Sequence, residues 1–334
     1  MNKKIRWGIL STANIGMKQV IPAMMKGSNC EMAAIASRNK KKAEEAAAEL
    51  GIAKAYGSYE ELLSDSDIDA IYNPLPNHLH VEWSIKCMEA GKHVLCEKPI
   101  ALTVEDVVKL MEARDRTGMK ISEAFMVRSH LQWLKAREMV RNGDLGQVGS
   151  IQGFFSYYNT DGDNIRNKPE YGGGSLWDIG CYPINTSRFI YGEEPVRVMA
   201  LTEFDPAFKT DKLASAILDY PSGQAIFTSS TQLAGRQRMT ITGTENTLDV
   251  EIPFNAPADE SCSLYLGKGP IRDSEREEIK IKACDHYTLQ GENFSRAILE
   301  NSEVPVTLED SLANTKVLIA LFQSAETGNW VKIE

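Results

Sequence analysis

Over the first 120 or so residues, short apolar runs alternate with amphipathic stretches. Ile5–Ser11, Glu31–Ser37, Asp69–Leu75, His93–Glu97 and Met119–Phe125 read as strands. Between them, Ile15–Gly27, Asn39–Gly51, Asn77–Gly91 and Thr103–Gly118 carry helical spacing. Asn39 and Thr103 are expected N-caps, and Gly51 and Gly118 expected stops. Strands separated regularly by helices predict a parallel, doubly wound sheet, a Rossmann-type α/β domain.

Past about residue 125 the rhythm changes. A helix over Leu131–Asn142 leads into the run Val148–Tyr158, then a glycine-rich segment and a helix ending near Tyr191. Strand-like runs follow at Pro195–Phe204, Leu213–Tyr220, Gly223–Leu233, Arg236–Thr244 and Asn246–Ile252, some separated by turn residues. Two helices close the chain. The pattern predicts an α+β domain with a large, mainly antiparallel open sheet. The expected domains are 1–124 and 125–334, with a last helix near 308–327 packing back on the first domain.

Composition narrows the classes. The chain has 334 residues and a net charge of -9, which disfavours a nucleic-acid partner because a phosphate backbone wants a basic face. The cysteines form no C-x-x-C pair and no metal-ligand spacing, so free thiols and no metal are expected. No apolar stretch reaches about 18 residues, which predicts a cytoplasmic protein without a membrane partner.

The candidate chemistry begins at "GILSTANIG", Gly8–Gly16. It lies where a dinucleotide-binding turn belongs, but Ser11 and Ala13 replace the first two glycines of G-x-G-x-x-G. Serine there is tolerable at negative φ, and its hydroxyl could bond a phosphate. Further on stand "NPLPNHLH" (Asn73–His80), "AGKHVLCEKP" (Ala90–Pro99) and "GGGSLWDIGCYPINTSRFIYGEEP" (Gly172–Pro195). Together these resemble the Gfo/Idh/MocA oxidoreductases over nearly the whole chain. The D-x-G-x-Y element is similar to the subgroup with glucose–fructose oxidoreductase, NADP-dependent D-xylose dehydrogenase and dimeric dihydrodiol dehydrogenase. Many relatives carry histidine where this chain has Tyr182.

The resemblance implies a hydride-transferring enzyme acting on CH–OH groups. Lys98, Asp178 and Tyr182 become the expected catalytic set, with Tyr182 as acid/base, Lys98 lowering its pKa, and Asp178 orienting a hydroxyl. Pro183 means the helix carrying the pair either kinks or starts near that proline. Expected cofactor residues are Ser11, Thr12, Ala13, Asn14, Ile15, Ser37, Arg38, Lys42, Asn73, Leu75, Asn77, His80, Glu97, Lys98 and Arg166. The second strand ends in Ser37 and Arg38 rather than an acid, and Lys42 follows, which favours NADP over NAD. Arg128, His130 and Asn185 are candidate substrate residues.

The expected substrate is a sugar or related polyhydroxylated carbonyl compound. A trans-dihydrodiol dehydrogenase is the alternative enzyme, and a non-catalytic NADP-sensing protein the alternative of another class. Relatives pair through the open sheet, so a homodimer or dimer of dimers is expected. The chain shows no long N-terminal arm or export signal like that of glucose–fructose oxidoreductase, so an exchangeable cofactor is expected.

Overall fold

The computed structural model describes residues 3–269 and 275–333. By contacts, the chain divides into Met1–Ser129 with Asp285–Leu312, and His130–Cys284 with Ala313–Glu334.

The first unit holds strands β1 (Ile5–Leu10), β2 (Cys30–Ala36), β3 (Lys54–Tyr56), β4 (Ala70–Asn73), β5 (His93–Cys96) and β6 (Ile121–Glu123). Its helices begin with α1 (Ile21–Met24), α2 (Lys40–Leu50), α3 (Tyr59–Leu63), α4 (His80–Glu89) and α5 (Val104–Thr117). The sheet is wholly parallel, in the order β3-β2-β1-β4-β5-β6. Asn39 and Thr103 cap α2 and α5 through their side chains, and Gly51 and Gly118 end them in the left-handed region. The run read as the third strand is the fourth. Before it lie β3, only three half-buried residues long, and the short α3. Neither is long enough to show a period.

The second unit holds α6 (Leu131–Asn142), α7 (Cys181–Tyr191), and β7 (Val148–Tyr158), β8 (Arg197–Phe204), β9 (Asp211–Asp219), β10 (Gln224–Ser230), β11 (Gln232–Gly243), β12 (Thr247–Val250), β13 (Cys262–Lys268), β14 (Glu275–Ile281) and β15 (Val331–Lys332). They form a nine-stranded sheet, β14-β13-β12-β11-β7-β10-β9-β8-β15. Every pair is antiparallel except β7–β10. The periodicity missed β13, β14 and β15. On one face α7 packs against β7, and α6 against β13. The other face carries an open groove of about 770 Å³, walled by Phe154, Met199, Leu201, Ile217, Ile226 and Arg238.

The expectation that all of 125–334 forms one domain is corrected. Helix α8 (His286–Leu299), which precedes α9 (Leu308–Thr327), belongs to the first unit. Phe294 of α8 is fully buried with Trp7 of β1 at 5.7 Å, and Trp7 Nε1 donates to Ser295 Oγ at 3.2 Å. Leu308, at the start of α9, lies in the core on the sheet's other side. A doubly wound sheet must be covered on both faces, and the early helices leave a gap that this later segment fills.

Candidate active site

In the first unit the order of strands reverses between β1 and β4, the position where ligands bind at the carboxyl ends of open α/β sheets. The Gly8–Gly16 segment leaves β1 there. Ser11 lies at φ 72°, in the left-handed region, so the condition under which serine would be tolerated without strain is not met. The turn keeps the glycine-like conformation without the glycine. Two bonds hold it: Ser11 N donates to Ala36 O at 2.8 Å, and Ala13 N donates to Ser11 Oγ at 3.3 Å. The helix after it begins at Asn14 and passes into a wide π turn over Gly16–Val20. The residue before it, Ala13, has no side chain that could cap it, which leaves that end suited to an anion.

At the end of β2, Ser37 is buried and its Oγ accepts from Asn39 N at 3.3 Å. Arg38 and Lys42 are exposed beside it, and among the described residues neither makes a salt bridge. This end of the strand holds a hydroxyl and two cations, the donor set that a ribose 2′-phosphate requires.

Residues after β4 divide into two kinds. Asn73 and His80 are fully buried and serve the loop itself. The Asn73 amide donates to Ser84 Oγ (3.1 Å) and accepts from Leu75 N (3.3 Å). The two ring nitrogens of His80 lie 2.7 Å from Pro99 O and 2.6 Å from Leu75 O. His80 therefore stands between the Leu75 turn and the loop of Lys98, and burial pushes its pKa down to about 4, so its single N–H bonds one carbonyl at a time. Asn77, Glu97 and Lys98 are half-buried. Glu97 accepts from the buried Tyr72 hydroxyl at 2.7 Å, and its backbone N–H donates to Asn73 O. The Lys98–Pro99 peptide is cis. Arg128 forms an ion pair with Asp310 at 2.9 Å.

In the second unit, Asp178 and Tyr182 lie on one continuous helix. Helix α7 itself starts near Pro183, at Cys181. A π turn over Leu176–Gly180 runs straight into α7. Asp178 Oδ2 accepts from Tyr157 OH at 2.6 Å and from Arg166 Nε at 3.0 Å. Burial, with the Asp178 charge beside it, pushes the Tyr157 phenol far up, so it stays a donor. The Asp178 carboxylate holds the Arg166 cation charged, and Tyr182 adds to the same effect. Tyr182 is buried against Phe155 and Phe254, with ring centroids at 5.8 and 5.5 Å.

His130 and Asn185 are buried. His130 caps α6 through Nδ1, which accepts from Gln132 N at 3.1 Å, and its Nε2 lies 3.4 Å from Cys284 Sγ. In this structure His130 caps α6 and Arg128 pairs with Asp310. Two site residues escaped the sequence reading: Tyr157, which bonds Asp178, and Asp211, which holds the helix start. Both come from strands far along the chain from the D-x-G-x-Y element, and no local motif marks them. None of the six cysteines is in a disulfide, and no cluster among the described residues could hold a metal ion. No helix among them is long and apolar enough to cross a membrane.

A parallel sheet with a phosphate-suited turn, joined in one chain to a mostly antiparallel sheet bearing an acid–tyrosine helix, defines a two-domain nicotinamide-dependent oxidoreductase. The chain belongs to the Gfo/Idh/MocA family. A family model described as an oxidoreductase family with an NAD-binding Rossmann fold matches residues 5–125, and the GFO/IDH/MocA C-terminal domain matches residues 133–249. An uncharacterized oxidoreductase of Rhizobium meliloti is 46% identical over 98% of both chains. A D-xylose 1-dehydrogenase (NADP(+)) of Haloferax volcanii is 38% identical, covering 98% of this chain and 99% of that one. The crystal structure of a 3-ketoreductase of Actinomadura kijaniata, in complex with NADP and TDP-benzene, superposes with a TM-score of 0.89. It is 27% identical and covers 96% of this chain and 98% of that one.

Proposed function

We propose that this protein is an NADP-dependent oxidoreductase that interconverts a carbinol and a carbonyl on a sugar or a similar polyhydroxylated compound. The observation that carries the reading is the helix that presents Asp178 and Tyr182 together, with Arg166 bonded to the acid. Ser37, Arg38 and Lys42 would hold the 2′-phosphate, and the uncapped helix start within Ser11–Ile15 the diphosphate. Bound NADP supplies the hydride acceptor or donor at the reacting carbon.

The chain's own work is the proton and the placement. In the reducing direction the carbonyl carbon gains a hydride, and its oxygen takes the Tyr182 phenolic proton; oxidation returns both. A phenol near pKa 10 is a weak base at neutral pH, and cations favour its phenolate. Arg166 and Tyr182 are close enough to interact electrostatically. Lys98 is assigned a hydroxyl of the nicotinamide ribose. Asp178, bonded to Arg166, accepts from a substrate hydroxyl. Phe155 and Phe254 give the pocket around Tyr182 an aromatic wall, which favours trans-dihydrodiol oxidation as the second reading.

Titration with NADPH and NADH by fluorescence, then a panel of aldoses, keto-sugars and a trans-dihydrodiol, tests the assignment. Much tighter NADPH binding and turnover of a sugar are expected; failure to bind either cofactor would sink it. The open sheet face exposes Leu201, Ile217 and Ile226. We assign it to a homodimer or dimer of dimers, in a cytoplasmic setting; a stable monomer in sedimentation at micromolar concentration would exclude that assembly.

A further inference from the structure

The helix carrying Asp178 and Tyr182 does not begin on its own strength. Ser175, at its N-terminus, makes no cap bond with its own side chain. The first amide is taken instead by a distant carboxylate. Asp211 is at the first position of β9 and 1% exposed. Its Oδ2 accepts from Leu176 N at 2.8 Å and from Ser175 Oγ at 2.7 Å. The Ser175 hydroxyl also lies 3.2 Å from Ser229 Oγ on β10. The preceding glycines are cut to fit. A Cβ on Gly174, which sits at φ +109°, would stand 1.9 Å from Asp211 Oδ1. A Cβ on Gly173 would stand 2.5 Å from Arg166 O. Gly174 N donates to that same carbonyl at 2.9 Å. One short segment is therefore locked to Asp211 on one side and to the Arg166 backbone on the other, and Arg166 in turn bonds Asp178.

We propose that Asp211 is a positioning residue of the active site, its buried carboxylate fixing the Gly174–Leu176 backbone and through it the placement of Asp178 and Tyr182. The inference rests on the reading of that pair as catalytic. The site admits a carboxylate and little else. The groups that favour the charged form are all donors: the Ser175 hydroxyl and the backbone N–H groups of Leu176, Asp211 and Ser175. An asparagine would turn an NH2 group toward donors, and a protonated acid would turn an O–H toward them.

Burial nonetheless raises the Asp211 pKa to about 6. The titratable groups on the surrounding elements are Tyr157 of β7, whose phenol feels the Asp211 charge, and the joined Arg166 and Asp178. On its own strand, Lys212 pairs with Glu203 of β8. Protonation relieves the cost of burial, so the buried form binds the proton more tightly than an opened, hydrated one. Protection of the segment should therefore rise as pH falls through about 6.

The test uses the full-length protein. Hydrogen exchange, corrected for intrinsic rate, is followed over residues 174–182 at pH 7.5 and 5.5, in wild type and in Asp211→Asn. Turnover against pH is measured with the sugar of the panel that reacts fastest, with Tyr182→Phe as the control. Expected are higher protection of that segment at pH 5.5 than at pH 7.5 in wild type, and a loss of protection confined to it, without the pH dependence, in Asp211→Asn. The variant should also lose at least tenfold in kcat, with NADPH affinity unchanged. Wild-type protection that is equal at both pH values overturns the anchor, and needs no variant to fold. An Asp211→Asn enzyme with normal kcat, beside an inactive Tyr182→Phe, overturns the positioning role while leaving the catalytic reading in place. Full turnover in Tyr182→Phe would remove that reading and this proposal's catalytic part together, and the exchange data would then judge the anchor alone.

Discussion

The chain starts two of its helices in the same unusual way. One follows the Ser11 turn, the other the Gly172–Gly174 run, and each soon passes through a five-residue π turn into an α-helix with proline near its start. The physical reason is shared. A proline ring crowds the carbonyl four residues back, and for Pro22 and Pro183 those carbonyls belong to Lys18 and Ile179, inside the widened turns. What differs is how the ends are held. The first carries no side-chain cap; a serine in a glycine's conformation shapes it. The second is closed by Asp211, and its glycines are packed against backbone and carboxylate. An end left without a cap suits an anionic ligand, whereas an end tied to the sheet holds side chains at fixed positions. The same local device thus serves binding in one unit and placement in the other.

The largest expected effect lies at the tied helix. Tyr182→Phe should lower turnover by about 10²–10⁴-fold, the usual reach of general acid–base catalysis, with NADPH affinity within about twofold of wild type. Single-turnover hydride transfer followed at 340 nm would check it, and normal turnover would break the assignment of chemistry to this end. Next, Gly174→Ala should cost about 3 kcal/mol or more in stability, because a Cβ must enter the space of Asp211 Oδ1 at a positive φ. Denaturant unfolding of the second unit would measure it.

At the open end, Arg38→Asp should weaken NADPH binding by about 10–100-fold, the worth of a charge-assisted hydrogen bond, and leave NADH nearly unchanged. Equal losses for both cofactors would place the 2′-phosphate elsewhere. The smallest effect is expected at Ser11. Ser11→Ala keeps the left-handed backbone and loses the bond to Ala13 N, costing about 1 kcal/mol. Ser11→Gly relieves the backbone while loosening the unfolded chain, and should stay within about 0.5 kcal/mol of wild type. A Gly variant that fell as far as the Ala variant would show that the hydroxyl, not the conformation, holds the turn.

The sequence by itself determined the alternation of strand and helix in the first unit, the caps at Asn39 and Thr103, the run of strands in the second, and the motifs that carry Lys98, Asp178 and Tyr182. Each is written in neighbouring residues: a period, a cap three residues from its amide, a motif of a few positions. Only the tertiary structure decided that α8 completes the first unit, since Phe294 meets Trp7 from nearly the far end of the chain. It also decided that Ser11 takes a positive φ, that His80 stands between the carbonyls of two loops, and that Asp178 bonds Tyr157. Asp211 is the clearest case. Its neighbours in sequence resemble those of any strand start, and its meaning comes from donors brought to it by a helix 35 residues earlier. Burial then makes that contact exacting, because donors and acceptors removed from water must find each other within the fold.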